Sequence, residues 1–248
     1  MPWRDTPTPY NVVISEVMLQ QTQVDRVRQK YVEWIARWDD FELLSQASTA
    51  EVVTAWQGLG YNRRALWIKE LADRVSSEYS GALPASQSEL TQFRGIGQNT
   101  AGAILAYAFN QPVVFIETNI RRVFIHEFFP DEEGVSDADI LPLVERAVDV
   151  EHPREWYWAL MDYGAMLSRE VVNPNRRSRH YTKQSTFEGS YRQLRGAIVA
   201  ALAAQPSLDI HILEGLLGRS RSELERAIEG LAADGFLSRE GKRITIKT

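Results

Sequence analysis

Two acidic residues stand where a carboxyl group can do more than face water. Glu16 is set among Val12, Val13, Ile14, Val17, Met18 and Leu19. A carboxyl among apolar neighbours is costly to ionise, so this position predicts a raised pKa and a proton held near neutral pH. A solvated Glu on the polar edge of a helix is the plain alternative. Glu117 closes the apolar run Val113-Val114-Phe115-Ile116 and precedes Thr118-Asn119-Ile120-Arg121-Arg122-Val123. At a helix start it can accept amide hydrogen bonds and stay ionised, as a cap or as a working carboxylate. One acid that keeps its proton and one that does not form the pattern that splits glycosidic bonds. The first protonates the leaving group and the second steadies the oxocarbenium-like centre.

A second chemical feature is the Gly95-Ile96-Gly97 turn within Phe93–Ile104. Before it, Ser86-Gln87-Ser88-Glu89 has capping-box spacing, with Leu90 and Phe93 on one face of a short helix. After it, Thr100 to Phe109 is Ala-rich with apolar residues at helical spacing. Glycines on both sides of Ile96 allow a tight turn and close approach to another surface. Amides of Gly95, Gly97 and the following helix start can then face a phosphate. This is the layout of a helix-hairpin-helix, a sequence-independent grip on a DNA backbone; a tight turn in an ordinary bundle is the other reading.

The elements that must position these groups are helical. Asn11 to Trp38 carries apolar residues at three- and four-residue intervals. Ser48-Thr49-Ala50-Glu51 is a capping box leading into Val52, Val53 and Trp56. Leu66–Ser76, Asn119–Phe128, Ile140–Val148 and Trp156–Leu167 follow the same pattern. Val113–Ile116 is a short extended piece or a buried connector. Composition shifts at Val172–Thr186, which reads as a basic linker. Beyond it come helices at Tyr191–Ala204, Asp209–Leu217 and Ser220–Asp234, then a hairpin around Glu240-Gly241, the layout of a winged helix. Its last helix could read DNA, or the module could serve packing alone. The expected organisation is a helical domain over 1–170, a linker over 171–187 and a winged-helix-like α+β domain over 188–248.

With 248 residues, 44% hydrophobic and 25% charged, the chain can bury a full core. No apolar stretch is long enough to span a bilayer and the first residues do not resemble a signal peptide, so the expected location is the cytoplasm, at the nucleoid. Cysteine is absent, which excludes disulfides, thiolate zinc sites and cysteine-held iron–sulfur clusters. The four histidines are scattered, and no metal site is expected from side chains. An alkali-metal ion on the hairpin carbonyls stays open, since backbone ligands leave no residue signature. The net charge of −5 is uneven. Arg169, Arg176, Arg177, Arg179, Lys183, Arg192 and Arg195 face only Glu170 and Glu188 in their stretch, a local polyanion site or a solvated run.

Five blocks occur in an order that resembles the catalytic domain of adenine DNA glycosylases of the MutY type, in the helix-hairpin-helix superfamily that also holds endonuclease III. They are Trp3-Arg4; Ser15–Val24; Trp56-Gln57-Gly58-Leu59-Gly60-Tyr61; Gly95-Ile96-Gly97 with Thr100–Ile104; and Met161-Asp162-Tyr163-Gly164-Ala165-Met166. The resemblance covers residues 2 to 168. It implies an all-α, two-lobed glycosylase fold that flips a base out of duplex DNA. It also implies that Glu16 donates a proton to the departing purine and that Glu117 stabilises the sugar cation. Asn119, Trp3, Arg4 and Leu19 match the base pocket. Gln21 and Tyr61 match side chains wedged into the duplex, and Gly95, Gly97, Asn99 and Thr100 match the phosphate-gripping hairpin. Asn99 stands where the endonuclease III branch has its lyase Lys. An amide cannot form a Schiff base, so the expected enzyme is monofunctional.

Four departures bear on the substrate. Glu117 replaces an Asp. Trp158 stands where an acid contacting the adenine amino group is expected. The iron–sulfur loop is missing, and Arg176, Arg177 and Arg179 are expected to take over its DNA contacts. A winged-helix-like module stands where the family carries a domain that reads 8-oxoguanine. The expected partner is double-stranded DNA with a mispair or lesion, met by a monomer, with adenine as the default base. Thymine or uracil opposite guanine, a deaminated purine, a non-catalytic lesion-binding role and a plain structural bundle are the alternatives.

Overall fold

The computed structural model of the protein describes residues 1–182 and 186–247. In chain order the helices are α1 (Pro2–Asp5), α2 (Pro9–Leu19), α3 (Val24–Arg37), α4 (Phe41–Gln46), α5 (Thr49–Ala55), α6 (Arg63–Glu78), α7 (Gln87–Leu90), α8 (Gln98–Phe109), α9 (Thr118–Phe128), α10 (Asp137–Ala147) and α11 (Pro153–Glu170). A 3-10 turn at Pro174–Arg177 follows. The C-terminal part is α12 (Tyr191–Ala204), β1 (Ser207–Asp209), α13 (Ile210–Leu217), α14 (Arg221–Ala233), β2 (Leu237–Glu240) and β3 (Arg243–Ile246). The fold is thus helical with a small C-terminal α+β part, as the sequence predicts.

By contact the chain forms two compact units. The first comprises Met1–Asp5, Val17–Leu83 and Ser185–Thr248; the second comprises Thr6–Glu16 and Pro84–Gln184.

The first unit is organised around an aromatic cluster. Trp34 meets Trp38 and Trp56 edge-on, with ring centroids 4.8 and 5.6 Å apart. The Ser48–Glu51 capping box forms and sets the start of α5, as its spacing predicts. The long helical pattern from Asn11 to Trp38 is two helices, because Gln21 adopts φ 53° between α2 and α3. In the C-terminal part the strand order is β1-β3-β2. The hairpin is present, with Leu237 opposite Ile246, and Ser207 of β1 lies opposite Thr245. Sequence reading missed β1: an alternation of three residues is too short to detect, and the strand exists through its pairing with β3.

The second unit packs α9 against α11, α10 and the 3-10 turn, with α8 against α7 and α11. One local expectation fails here and one open alternative is decided. Ser86 makes no cap bond to α7; its hydroxyl lies 2.9 Å from that of Ser88 instead. Val113–Ile116 is no strand but a connector, held where the Tyr157 hydroxyl donates to the Val113 carbonyl at 2.7 Å. Among the described residues no helix is long and apolar enough to cross a membrane.

Candidate active site and nucleic-acid interface

Glu117 is the residue the second unit is built to hold. It is the N-cap of α9 with extended backbone, and its Oε1 accepts from the amides of Asn119 at 2.5 Å and Ile120 at 2.9 Å. Oε2 carries no hydrogen bond among the described residues, so one carboxylate oxygen is anchored and the other is available. Cap formation was legible in the sequence; the ionisation state was not. Burial raises the Glu117 pKa above its ordinary value, and this outweighs the two amide bonds and the nearby Arg121 and Arg122 charges that oppose it. The expected direction is therefore corrected: the amides lower the pKa, but desolvation outweighs them.

The residues around Glu117 are fixed by side chains remote in sequence. Arg122, itself buried, donates to Asn119 Oδ1 and to the Gly164 carbonyl, both at 2.6 Å, and to Asn173 Oδ1 at 3.2 Å. These bonds orient Asn119, whose Nδ2 faces Met161 Sδ at 3.9 Å. Gly164 explains its place in the Met161–Met166 block. A Cβ there would stand 2.6 Å from both Asn119 Cβ and the Asn119 carbonyl oxygen, so only glycine lets α11 cross the first turn of α9. Gly102 plays the same part for α8, where a Cβ would come within 2.7 Å of Phe115.

Glu16, on α2, belongs to the same unit as Glu117 and is half-buried, while Ile14, Ser15, Val17 and Met18 beside it are buried. Trp158 lies on α11 of that unit, its ring 6.2 Å from Tyr107 and nearly parallel to it. Trp3, Arg4 and Leu19 belong to the first unit, with Trp3 buried edge-on against Tyr31 at 5.6 Å.

The hairpin has the backbone its glycines predict. Gly95 has φ 82°, a left-handed turn, and Gly97 is the extended N-cap of α8. Gly97 brings no side chain, and no side-chain bond caps α8. Asn99 is exposed, and its Oδ1 accepts weakly from the Ile116 amide at 3.5 Å, next to Glu117.

Gln21 and Tyr61 sit in the first unit on two turns stitched together by one residue that sequence reading missed. Arg64 is almost fully buried and donates through Nη1 to the carbonyls of Val17, Met18 and Gln20 at 2.7, 2.9 and 2.6 Å. Through Nη2 it reaches Thr22 Oγ1 and the Gly60 carbonyl, both at 2.9 Å. Both candidate wedge residues have left-handed backbones, with φ 53° at Gln21 and 47° at Tyr61. Such conformations cost about 1–3 kcal/mol each outside glycine and persist where surroundings fix them, which Arg64 does. Burial lowers the Arg64 pKa to about 10, which leaves it charged at neutral pH. An Arg three residues after Tyr61 was visible in the sequence, but nothing local marks it as buried.

The basic run divides by role. Arg177 donates to the carbonyls of Phe129 and Pro130 and, at 3.3 Å, of Ile125, closing the C-terminus of α9. Its segment is an ordered turn bridged to Val135, not a bare linker. Arg176 and Arg179 are exposed. Lys183 lies outside the described residues.

The family model for the HhH-GPD superfamily of base excision DNA repair proteins matches residues 14–139, which take in Glu16, Gln21, Tyr61, the hairpin, Glu117 and Asn119. The chain belongs to this superfamily. Its resemblance to the adenine DNA glycosylase branch holds as well. The adenine DNA glycosylase of Mycobacterium tuberculosis (strain CDC 1551 / Oshkosh) is 29% identical, over 96% of this chain and 86% of that protein. The adenine DNA glycosylase of Buchnera aphidicola subsp. Baizongia pistaciae (strain Bp) is 34% identical over 67% of this chain, which spans about half of it, 48%. A solved thermostable thymine-DNA glycosylase is similar in fold, with TM-score 0.61 and 24% identity over 70% of this chain and 82% of its own.

Proposed function

We propose that this superfamily member removes adenine from mispaired duplex DNA by hydrolysis of the N-glycosidic bond, leaving the strand intact. The enzyme class, a DNA N-glycosylase of base excision repair, follows from the family and from the adenine glycosylases it resembles. In this reading Glu16 protonates the departing base, Glu117 steadies the cation that develops on the sugar, and water completes the hydrolysis. Gly95, Gly97 and the start of α8 hold the backbone, while Gln21 and Tyr61 fill the space the flipped base leaves. Asn99 cannot form the covalent imine that strand cleavage requires.

The observation that carries the reading is Glu117: one oxygen pinned by two amides, the other available, and the group pushed toward its neutral form by burial. A desolvated carboxylate gains most when a cation forms beside it. Its interaction with the sugar therefore strengthens on the way to the transition state, which is where binding accelerates reaction.

The test is a single-turnover assay on labelled duplexes, developed with alkali to reveal abasic sites. The duplexes carry adenine opposite 8-oxoguanine or guanine, thymine or uracil opposite guanine, and hypoxanthine. We expect adenine release, no strand break before alkali, and a loss of about 10²–10⁴-fold in Glu16→Gln with DNA affinity retained. Release of another base alone would replace adenine as the substrate. Unchanged base release by Glu16→Gln would remove the mechanism.

A further inference from the structure

The winged-helix-like part presents α14 as its candidate reading helix, but the outer face of that helix is acidic. The helix carries Glu223, Glu225 and Glu229 against Arg221 and Arg226, a net negative charge. Glu225 pairs with Arg221 at 3.6 Å and with Arg239 at 3.0 Å, and Glu223 pairs with Arg219 at 3.6 Å. A face whose acids already hold the nearby arginines suits a phosphate-lined groove poorly.

The basic side of this part is formed by the start of α12 together with Arg226 of α14, within the same compact unit as Tyr61. Arg192 Nη1 donates to the Tyr61 hydroxyl at 3.3 Å. Asp234 ties the region down by pairing with Arg63 at 2.5 Å and also with Arg195. The Arg195 and Arg226 guanidiniums lie 5.8 and 5.3 Å from the Tyr191 ring centroid. The packing is close: a Cβ at Gly230 would stand 2.8 Å from the Tyr191 hydroxyl. Tyr61, Tyr191, Arg63 and Arg226 are all exposed, on a chain whose net charge is −5. Aromatic rings interleaved with guanidiniums suit a nucleic-acid strand, the rings stacking on bases and the cations meeting phosphates.

We propose that the winged-helix-like part completes the DNA wedge: Arg192 orients Tyr61, and Arg192 with Arg226 binds phosphates of the duplex beside the flipped-out base. The inference rests on the reading of Tyr61 as the wedge. It assigns the C-terminal part to backbone contact at the lesion rather than to sequence reading by α14.

The test compares the full chain with its Arg192→Ala/Arg226→Ala double variant on an uncleavable mispaired duplex across a salt series. Thermal melting confirms that the variant is folded, and Arg192→Lys serves as the conservative control. Loss of two phosphate contacts should make the slope of log affinity against log salt shallower by about 1.8. Arg192→Lys alone should keep its share of the slope but not the orientation of Tyr61. Base release on saturating DNA should fall in Arg192→Ala and in Tyr61→Phe, with no further fall when the two are combined. A salt slope and base release equal to wild type in the double variant would overturn the inference while leaving the glycosylase reading in place. Failure of the wild-type chain to bind the mispaired duplex would overturn both.

Discussion

Arg64 in the first unit and Glu117 in the second each hand a charge to backbone dipoles, the guanidinium to carbonyls and the carboxylate to amides. Both are desolvated, and both pKa values move toward the neutral form. The consequences differ because the ordinary values differ. Arg64 falls from 12.5 only to about 10, so its charge and the turns it holds do not change around neutral pH. Glu117 moves up from 4.5, so the burial that leaves the Arg64 charge fixed makes the Glu117 carboxylate harder to form and more responsive to a neighbouring cation. Desolvation thus makes one residue a fixed knot and the other a group fit for chemistry.

The largest effect should come from cutting the knot. Arg64→Leu leaves several buried carbonyls without a donor, at about 1–3 kcal/mol each, so we expect a loss of at least about 3 kcal/mol in stability. Urea unfolding measures it, and a loss below about 1 kcal/mol would show that the turns hold themselves.

Glu117→Gln should do the opposite. Base release should fall about a hundredfold or more, since a preorganised charge is removed. The melting temperature at and above neutral pH should stay level or rise. The sign follows from the raised pKa: Glu117 supports the fold below its ordinary value, and that support fades as pH rises through the folded value. Base release in the wild type should gain over the same interval as the carboxylate forms. A rate profile whose acid limb lies at or below 4.5 would break the contrast with Arg64.

Gly164→Ala should cost about 1–3 kcal/mol by overpacking, and it should lower base release because the strain falls on Asn119. Melting and single-turnover rates on the same sample separate the two effects. The smallest changes belong to the basic run. Arg176→Ala with Arg179→Ala should make the salt dependence of DNA binding shallower and leave melting unchanged. Arg177→Ala should lower the melting temperature, because the end of α9 loses its donor. Equal behaviour of the three positions would restore the picture of a uniform solvated run.

Local chemistry was legible in the sequence because it is written in adjacent residues. Glycines at Gly95 and Gly97, the Ser48–Glu51 box and the cap at Glu117 involve partners a few residues apart, and all appear where spacing predicts. The helical periodicities and the C-terminal hairpin were readable for the same reason. Only the tertiary structure decided what depends on distant partners. Arg64 reaches carbonyls more than forty residues away, Arg122 meets Gly164, and Arg192 meets Tyr61 across 131 positions. The direction of the Glu117 pKa belongs to the same class. Its amide bonds are local and lower it, whereas the burial that raises it is supplied by packing that no short stretch of sequence encodes.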